Sequence, residues 1–184
     1  MIWRQGFYTL SKHLLSLIFG RKLIEDGNRL KIRTATLSDV GIIVDVINSA
    51  FRQAESFLID RDRIDSESVQ RLFDKGTFLL TEDDLGAAAC VYVEMRGDRS
   101  YLGLLSVKPQ RQKSGLGSKL MRAAEDYCAR GGSRFMDLRI VNVRRELPDF
   151  DHRLGYIETG TEPFTAGLQT KIPCYFVNMS KPLV

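Results

Sequence analysis

The stretch Leu104-Leu105-Ser106-Val107-Lys108-Pro109-Gln110-Arg111-Gln112-Lys113-Ser114-Gly115-Leu116-Gly117-Ser118 gathers glycines, hydroxyls and cations where an apolar run gives way to a helical pattern. That combination suits an anion. Glycines let the backbone approach a ligand closely, and the unpaired N–H groups of a first helical turn point at it. The helix dipole adds roughly half a positive charge there. Arg111 and Lys113 add further positive potential. A phosphate loop of the G-x-x-x-x-G-K-[ST] kind is excluded, because no glycine lies five residues before Gly117. The dinucleotide pattern G-x-G-x-x-G fails because Leu120 takes the third glycine position. What remains is Gln112-x-x-Gly115-x-Gly117. A loop whose glycines serve only a tight turn has the same pattern.

The elements that must position this loop follow from periodicity. Leu30–Arg33 reads as a strand, with Thr36 or Ser38 as the N-cap of a helix whose face is Leu37, Val40, Val44, Ile47 and Phe51. A charged stretch over 52–67 leads to a short helix near Ser68–Asp74. Thr77–Thr81, Ala87–Met95 and Tyr101–Val107 read as consecutive strands joined by turns at 82–86 and 96–98. The helix after the loop buries Leu116, Leu120, Met121, Ala124, Tyr127 and Cys128, and Gly131-Gly132 stops it. Phe135–Val141 is a strand, Arg144–Leu154 an irregular helix containing Pro148, and Tyr156–Thr159 and Ile172–Met179 are strands. The order β-α-α-β-β-β-α-β-α-β-β, without repeats or linkers, predicts one mixed α/β domain over 30–184, preceded by an extension over 1–29.

Gln112-x-x-Gly115-x-Gly117 resembles the Q/R-x-x-G-x-G/A signature of the GNAT N-acetyltransferases. A strand, Pro109, the loop, a helix and a further strand stand around it in that family's order, and Gly155-Tyr156 resembles the family's glycine–aromatic ending. The resemblance covers 30–184. It implies a single GNAT-like domain with a central, mostly antiparallel sheet splayed at an acetyl-CoA site and helices on both faces. The reaction it implies is transfer of an acetyl group from acetyl-CoA to a primary amine of a small molecule, amino acid or protein, with no metal. Leu105, Ser106 and Val107 would hold the pantetheine arm by backbone hydrogen bonds. Gln112, Lys113, Ser114, Gly115, Leu116, Gly117 and Ser118 would surround the pyrophosphate. Asn142 takes the position of an arm-contacting asparagine, or simply forms a turn at a strand end.

The family's usual acid, a tyrosine four residues before that glycine, is replaced here by Asp151, expected on a solvated helix face. Tyr156 and Tyr175 are substitute donors, or core aromatics. Glu94, on the Tyr92 face of its strand, is a candidate base, as is Glu55; water could serve instead. The acceptor is expected over Phe51–Asp65, where Phe51 and Glu55 are candidate contacts, and over Thr159–Thr170. The departure at Asp151 keeps a second reading open, a CoA-binding module without turnover.

Composition narrows the rest. The three cysteines are scattered and only two histidines occur, which argues against a disulfide framework and a zinc or histidine metal site. The formal charge of +4 comes from Arg4, Lys12, Arg21 and Lys22; without them the bases number 23, equal to the 23 acids. No basic cluster inside the domain marks a nucleic-acid footprint. No run of about 18 apolar residues exists to span a bilayer. Within Met1–Leu23, however, Trp3, Phe7, Leu10, Leu14, Leu17 and Ile18 recur at helical spacing. This extension is read as a docked helix, a peripheral membrane contact by residues 1–23 with an adaptor role, or an organelle-targeting segment. A cytoplasmic enzyme is expected otherwise, and a homodimer stays open.

Overall fold

The structure, a computed structural model, describes residues 24–25, 30–58, 60–164 and 170–183. The extension's proposed helix therefore lies outside the described residues. The strands are β1 (Ile24–Glu25), β2 (Lys31–Thr34), β3 (Thr77–Asp83), β4 (Gly86–Arg96), β5 (Arg99–Val107), β6 (Phe135–Val141), β7 (Ile157–Pro163) and β8 (Tyr175–Pro182). The α-helices are α1 (Val40–Glu55), α2 (Ser66–Lys75), α3 (Leu116–Arg130) and α4 (Glu146–Arg153), with 3-10 turns at Leu37–Asp39 and Pro109–Arg111. The expected order holds, with β1 added and most boundaries moved by one to four residues. Among the described residues no helix is long and apolar enough to cross a membrane.

The strands form one sheet in the order β1-β2-β3-β4-β5-β6-β8-β7, antiparallel except where β5 meets β6. β4 is central because it is buried on both faces, an apolar run from Ala88 to Val93 rather than an alternation. Its Cys90 and Tyr92 face α1, with Ile43, Val46 and Ile47 of that helix at 0% exposure. Val91 and Val93 face α3, whose Leu120, Met121, Ala124 and Cys128 recur at helical spacing. Helix α2 starts at Asp65, whose carboxylate accepts the Ser68 N–H at 2.7 Å. Helix α4 lies on the α3 face through Leu147, Phe150 and Leu154. Helices thus cover both faces, as a mixed α/β domain requires.

Two irregularities shape the middle of the sheet. Cys90 faces Ser106 while Tyr92 faces Gly103, so Leu104 and Leu105 together oppose Val91. This is a β-bulge, and Leu104 sits in the left-handed region at φ 52°. The parallel pairing of β5 with β6 then lasts only from Arg99↔Phe135 to Leu102↔Leu138. β6 stays paired to β8 up to Val141, so beyond Leu102 the two strands part into a wedge.

Candidate active site

The wedge is walled by Gly103–Val107 of β5 and Arg139–Val141 of β6. Backbone groups on those facing edges lack a strand partner, and an extended ligand could supply one. Leu105 and Val107 turn their side chains into the α3 core. Ser106 is 2% exposed and donates its hydroxyl to the Leu104 carbonyl at 3.0 Å. These three residues therefore offer a ligand their backbone rather than their side chains.

β5 delivers the chain into the glycine loop at the wedge's rim. Gly115 caps α3 at φ 80°, a left-handed conformation that glycine adopts without strain. Lys119 N–H bonds to Gly115 O at 3.0 Å, so the N–H groups of Leu116, Gly117 and Ser118 form the open first turn. A side chain on Gly117 would start 3.7 Å from the Phe150 ring and 3.8 Å from Val107 Cγ2. The rest of the loop is held from within. Gln112 donates its side-chain N–H to Val107 O at 3.1 Å, and Ser114 donates its hydroxyl to Arg111 O at 2.6 Å. Lys113 is exposed, at φ 60°. Arg111 departs from expectation: it is ion-paired with Asp83 of β3, so its charge is largely neutralised. Asn142 also closes a strand end. Its Oδ1 accepts the Tyr175 N–H at 2.9 Å, and its own N–H reaches Tyr175 O at 3.0 Å.

The acid–base candidates separate sharply. Asp151 is 4% exposed, not on a solvated face, and burial pushes its carboxyl up to about 7. The sequence carried the signal: Leu147, Phe150 and Leu154 stand at i, i+3 and i+7, and Asp151 fills the i+4 place of that stripe. Tyr156 is 1% exposed and donates its hydroxyl to Glu125 Oε1 at 3.0 Å, while Lys181 holds Glu125 Oε2 at 2.7 Å. Burial, then the Glu125 charge, raises the Tyr156 phenol far above its ordinary value, which makes it a core group. Glu94 takes both Arg96 Nε and Nη2 at 3.0 Å, and this pairing holds its carboxyl below the ordinary value. A base is weakened by such a partner. Glu94 also pairs in register with Tyr101, toward the β4–β5 turn and away from the bulge. Tyr175, unlike Tyr156, is no core residue, at 45% exposure.

Over the α1 end of the wedge, Phe51 and Glu55 line a cavity of ≈ 210 Å³ with Arg52, Ser56, Asp60, Arg61, Asp62 and Arg63. Glu55 is 6% exposed and accepts from Arg144 Nη1 at 3.2 Å. Its burial raises the carboxyl above its ordinary value, against the pull of Arg63 and Arg144. The loop is clamped by Asn48, whose amide donates to Ile64 O at 2.9 Å and whose oxygen accepts the N–H groups of Arg63 and Ile64. Of the other expected acceptor loop, residues 165–169 lie outside the description.

A family model for the acetyltransferase (GNAT) domain matches residues 43–182, through the bulge, the wedge and the glycine loop. This chain belongs to the GNAT acetyltransferase family. No curated protein sequence matches it. Solved GNAT structures match it in fold. One, assigned as a phosphinothricin N-acetyltransferase, superposes with a TM-score of 0.70 at 18% identity over 84% of this chain and 99% of its own. YncA from Salmonella typhimurium, solved with its cofactor acetyl-CoA, gives 0.66 at 22% identity over 85% and 95%. Spermidine N-acetyltransferase from Vibrio cholerae, solved with CoA and spermine, gives 0.67 at 13% identity over 84% and 96%. The GNAT fold and its acetyl-CoA-bound neighbours support acetyl transfer as the general activity.

Within this GNAT domain the structure brings Leu105–Val107 and the loop 112–118 to one rim and stacks α4 beside them. It sets Glu94 apart from that rim, toward the β4–β5 turn, and commits the Tyr156 hydroxyl to Glu125. Sequence reasoning missed the Leu104 bulge, the Asn48 clamp and the Glu55–Arg144 pair. Two of these had a signal. Gly103 interrupts an apolar strand, which marks a bulge, and Asn48 interrupts the buried face of α1.

Proposed function

We propose that this GNAT domain acetylates the primary amine of a small molecule, with Asp151 as the proton donor. The observation that carries the reading is the meeting of the β5 bulge, the β5–β6 wedge and the open first turn of α3 at one rim. An extended pantetheine arm fits the wedge, where the backbone of Gly103–Val107 pairs with it as a missing strand would. The loop Gln112–Ser118 presents the N–H groups of Leu116, Gly117 and Ser118 to a pyrophosphate, with Lys113 as the free loop cation. Acetyl-CoA would supply a thioester carbonyl open to attack by a neutral amine.

This chain's residues supply the surroundings. Beyond Leu102 the wedge-facing edge of β5 has no β6 partner, so a backbone N–H there could donate to a carbonyl oxygen. The amine forms its bond to the acetyl carbon as the carbon–sulfur bond breaks; the nitrogen's proton leaves to water. The departing sulfur needs a proton, and buried Asp151, pushed up to about 7, carries one in a substantial fraction of molecules near neutral pH. Its burial supports the transferase reading over an inactive CoA-binding module. The test is thiol release from acetyl-CoA across a panel of small amines. Turnover above the amine-free rate is expected; CoA binding with no turnover by any amine would leave the binding-module reading.

A further inference from the structure

We propose that the cavity beside Phe51 receives a carboxylate carried by the acceptor, with Arg63 as the residue that grips it; the substrate class is then an amino acid or a similar carboxylate-bearing amine. The inference rests on the transferase reading above and specifies its acceptor.

Charge bookkeeping in the cavity wall points to an anion. Each lining acid already has a cation. Glu55 has Arg144 at 3.2 Å, Asp62 has Arg52 at 2.8 Å, and Asp60 is paired with Lys171. Arg61 and Arg63 form no salt bridge with a carboxylate among the described residues, although Arg63 lies close enough to Glu55 to oppose the upward shift of its carboxyl. Arg63 is the better placed of the two. Its guanidinium lies over the Phe51 ring at 5.2 Å, and its Nε is buried without a hydrogen-bond partner. An unpaired charged group is costly away from water, and an anion brought to the guanidinium offsets that cost. A guanidinium is a planar fork of donors, which matches a carboxylate.

Position and size agree. Asn48 fixes the Arg63 backbone by accepting its N–H at 2.9 Å. The loop is tied to the wedge by Leu58, 0% exposed, which packs with Val141 at the end of β6 and with Phe176. Lys171 N–H bonds Leu58 O at 2.9 Å from the other side. At ≈ 210 Å³ the cavity has room for a carboxylate and a few carbons. The excess of arginine over free acid disfavours a polycation.

The experiment uses the full-length protein with acetyl-CoA and reads thiol release. Common L-amino acids are each compared with their decarboxylated amine, and β-alanine with 2-aminoethylphosphonate and spermidine. At least one amino acid should exceed its decarboxylated amine by tenfold or more in kcat/KM. Arg63→Met should raise KM for that amino acid at least tenfold, leaving CoA affinity and the rate with the decarboxylated amine unchanged. Arg63→Lys should recover part of the loss. Parity within the pairs, a preference for the phosphonate or spermidine, or equal losses for both members of a pair would overturn the proposal. If no amine is turned over, the transferase reading fails, and calorimetry of the same amino acids on CoA-saturated protein decides the cavity. Binding lost in Arg63→Met then supports it, and no binding overturns it.

Discussion

The Phe150 ring stands 3.7 Å from the point where a Cβ on Gly117 would begin, so α4 rests on the first turn of α3. One contact therefore joins the proposed anion site to the helix bearing Asp151. Gly117→Ala adds only ordinary van der Waals contact and should leave the fold intact. Gly117→Glu places a negative charge at the open N–H groups and should weaken CoA binding by more than tenfold, about 1.4 kcal/mol, in calorimetry. Unchanged affinity in a folded Gly117→Glu protein would remove the proposed pyrophosphate site.

Asp151→Asn should lower turnover by ~10²–10⁴-fold, the usual contribution of a positioned acid, with CoA affinity unchanged. The donor works only while protonated, so the wild-type rate should fall as pH rises through about 7, and that limb should be absent in the variant. A variant retaining most of its turnover would return the role to water.

The same carboxyl affects stability with a definite sign. Between its ordinary value of 3.8 and its folded value of about 7, the native state holds a proton that the unfolded chain has lost. Stability therefore falls as pH rises through that window and levels off above it. Asp151→Asn should raise Tm at pH 8 and change it little at pH 4, measured by thermal unfolding at both.

Tyr156→Phe removes a core hydrogen bond and leaves Glu125 with Lys181 alone. It should cost about 1–2 kcal/mol of stability in denaturant unfolding. Turnover should change by less than about tenfold, short of what a proton donor supplies. A larger turnover loss would restore Tyr156 as the acid.

Glu94→Gln breaks the bidentate Arg96 pair on β4. Because that pair already makes Glu94 a weak base, kcat should change by less than about tenfold, and the acidic limb of the rate–pH profile should keep its position. Displacement of that limb would identify Glu94 as the base.

What the sequence disclosed depended on range. The strand–Pro109–loop–helix order from Tyr101 to Arg130 was legible because each signal is local: periodicity, a ladder-stopping proline, and glycines at a helix start. The parting of β5 from β6 was not, because register between strands separated by a helix leaves no local trace. A charged type at position 151 points to solvent, whereas its i+4 relation to Leu147 points to the buried stripe, and position prevails over type. Glu94 and Tyr156 were candidates by residue type, and only tertiary neighbours, Arg96 and Glu125, showed both to be committed elsewhere. Arg63 is one charge within the charged stretch 52–67, and only the pairing of Asp60 and Asp62 with other cations sets it apart.

The early end of the β5–β6 ladder gives this sheet an edge in its interior rather than only at its margins. An ordinary margin accepts any strand that arrives, which is how edges invite aggregation. Here the gap narrows to closure at Leu102 and Leu138, and both of its sides belong to the same molecule. It admits a single thread, entering from one end and running a short way before the walls meet. On the proposed reading, the parting strands would then gauge the thickness of an extended arm through their backbones, without any side chain having to read it.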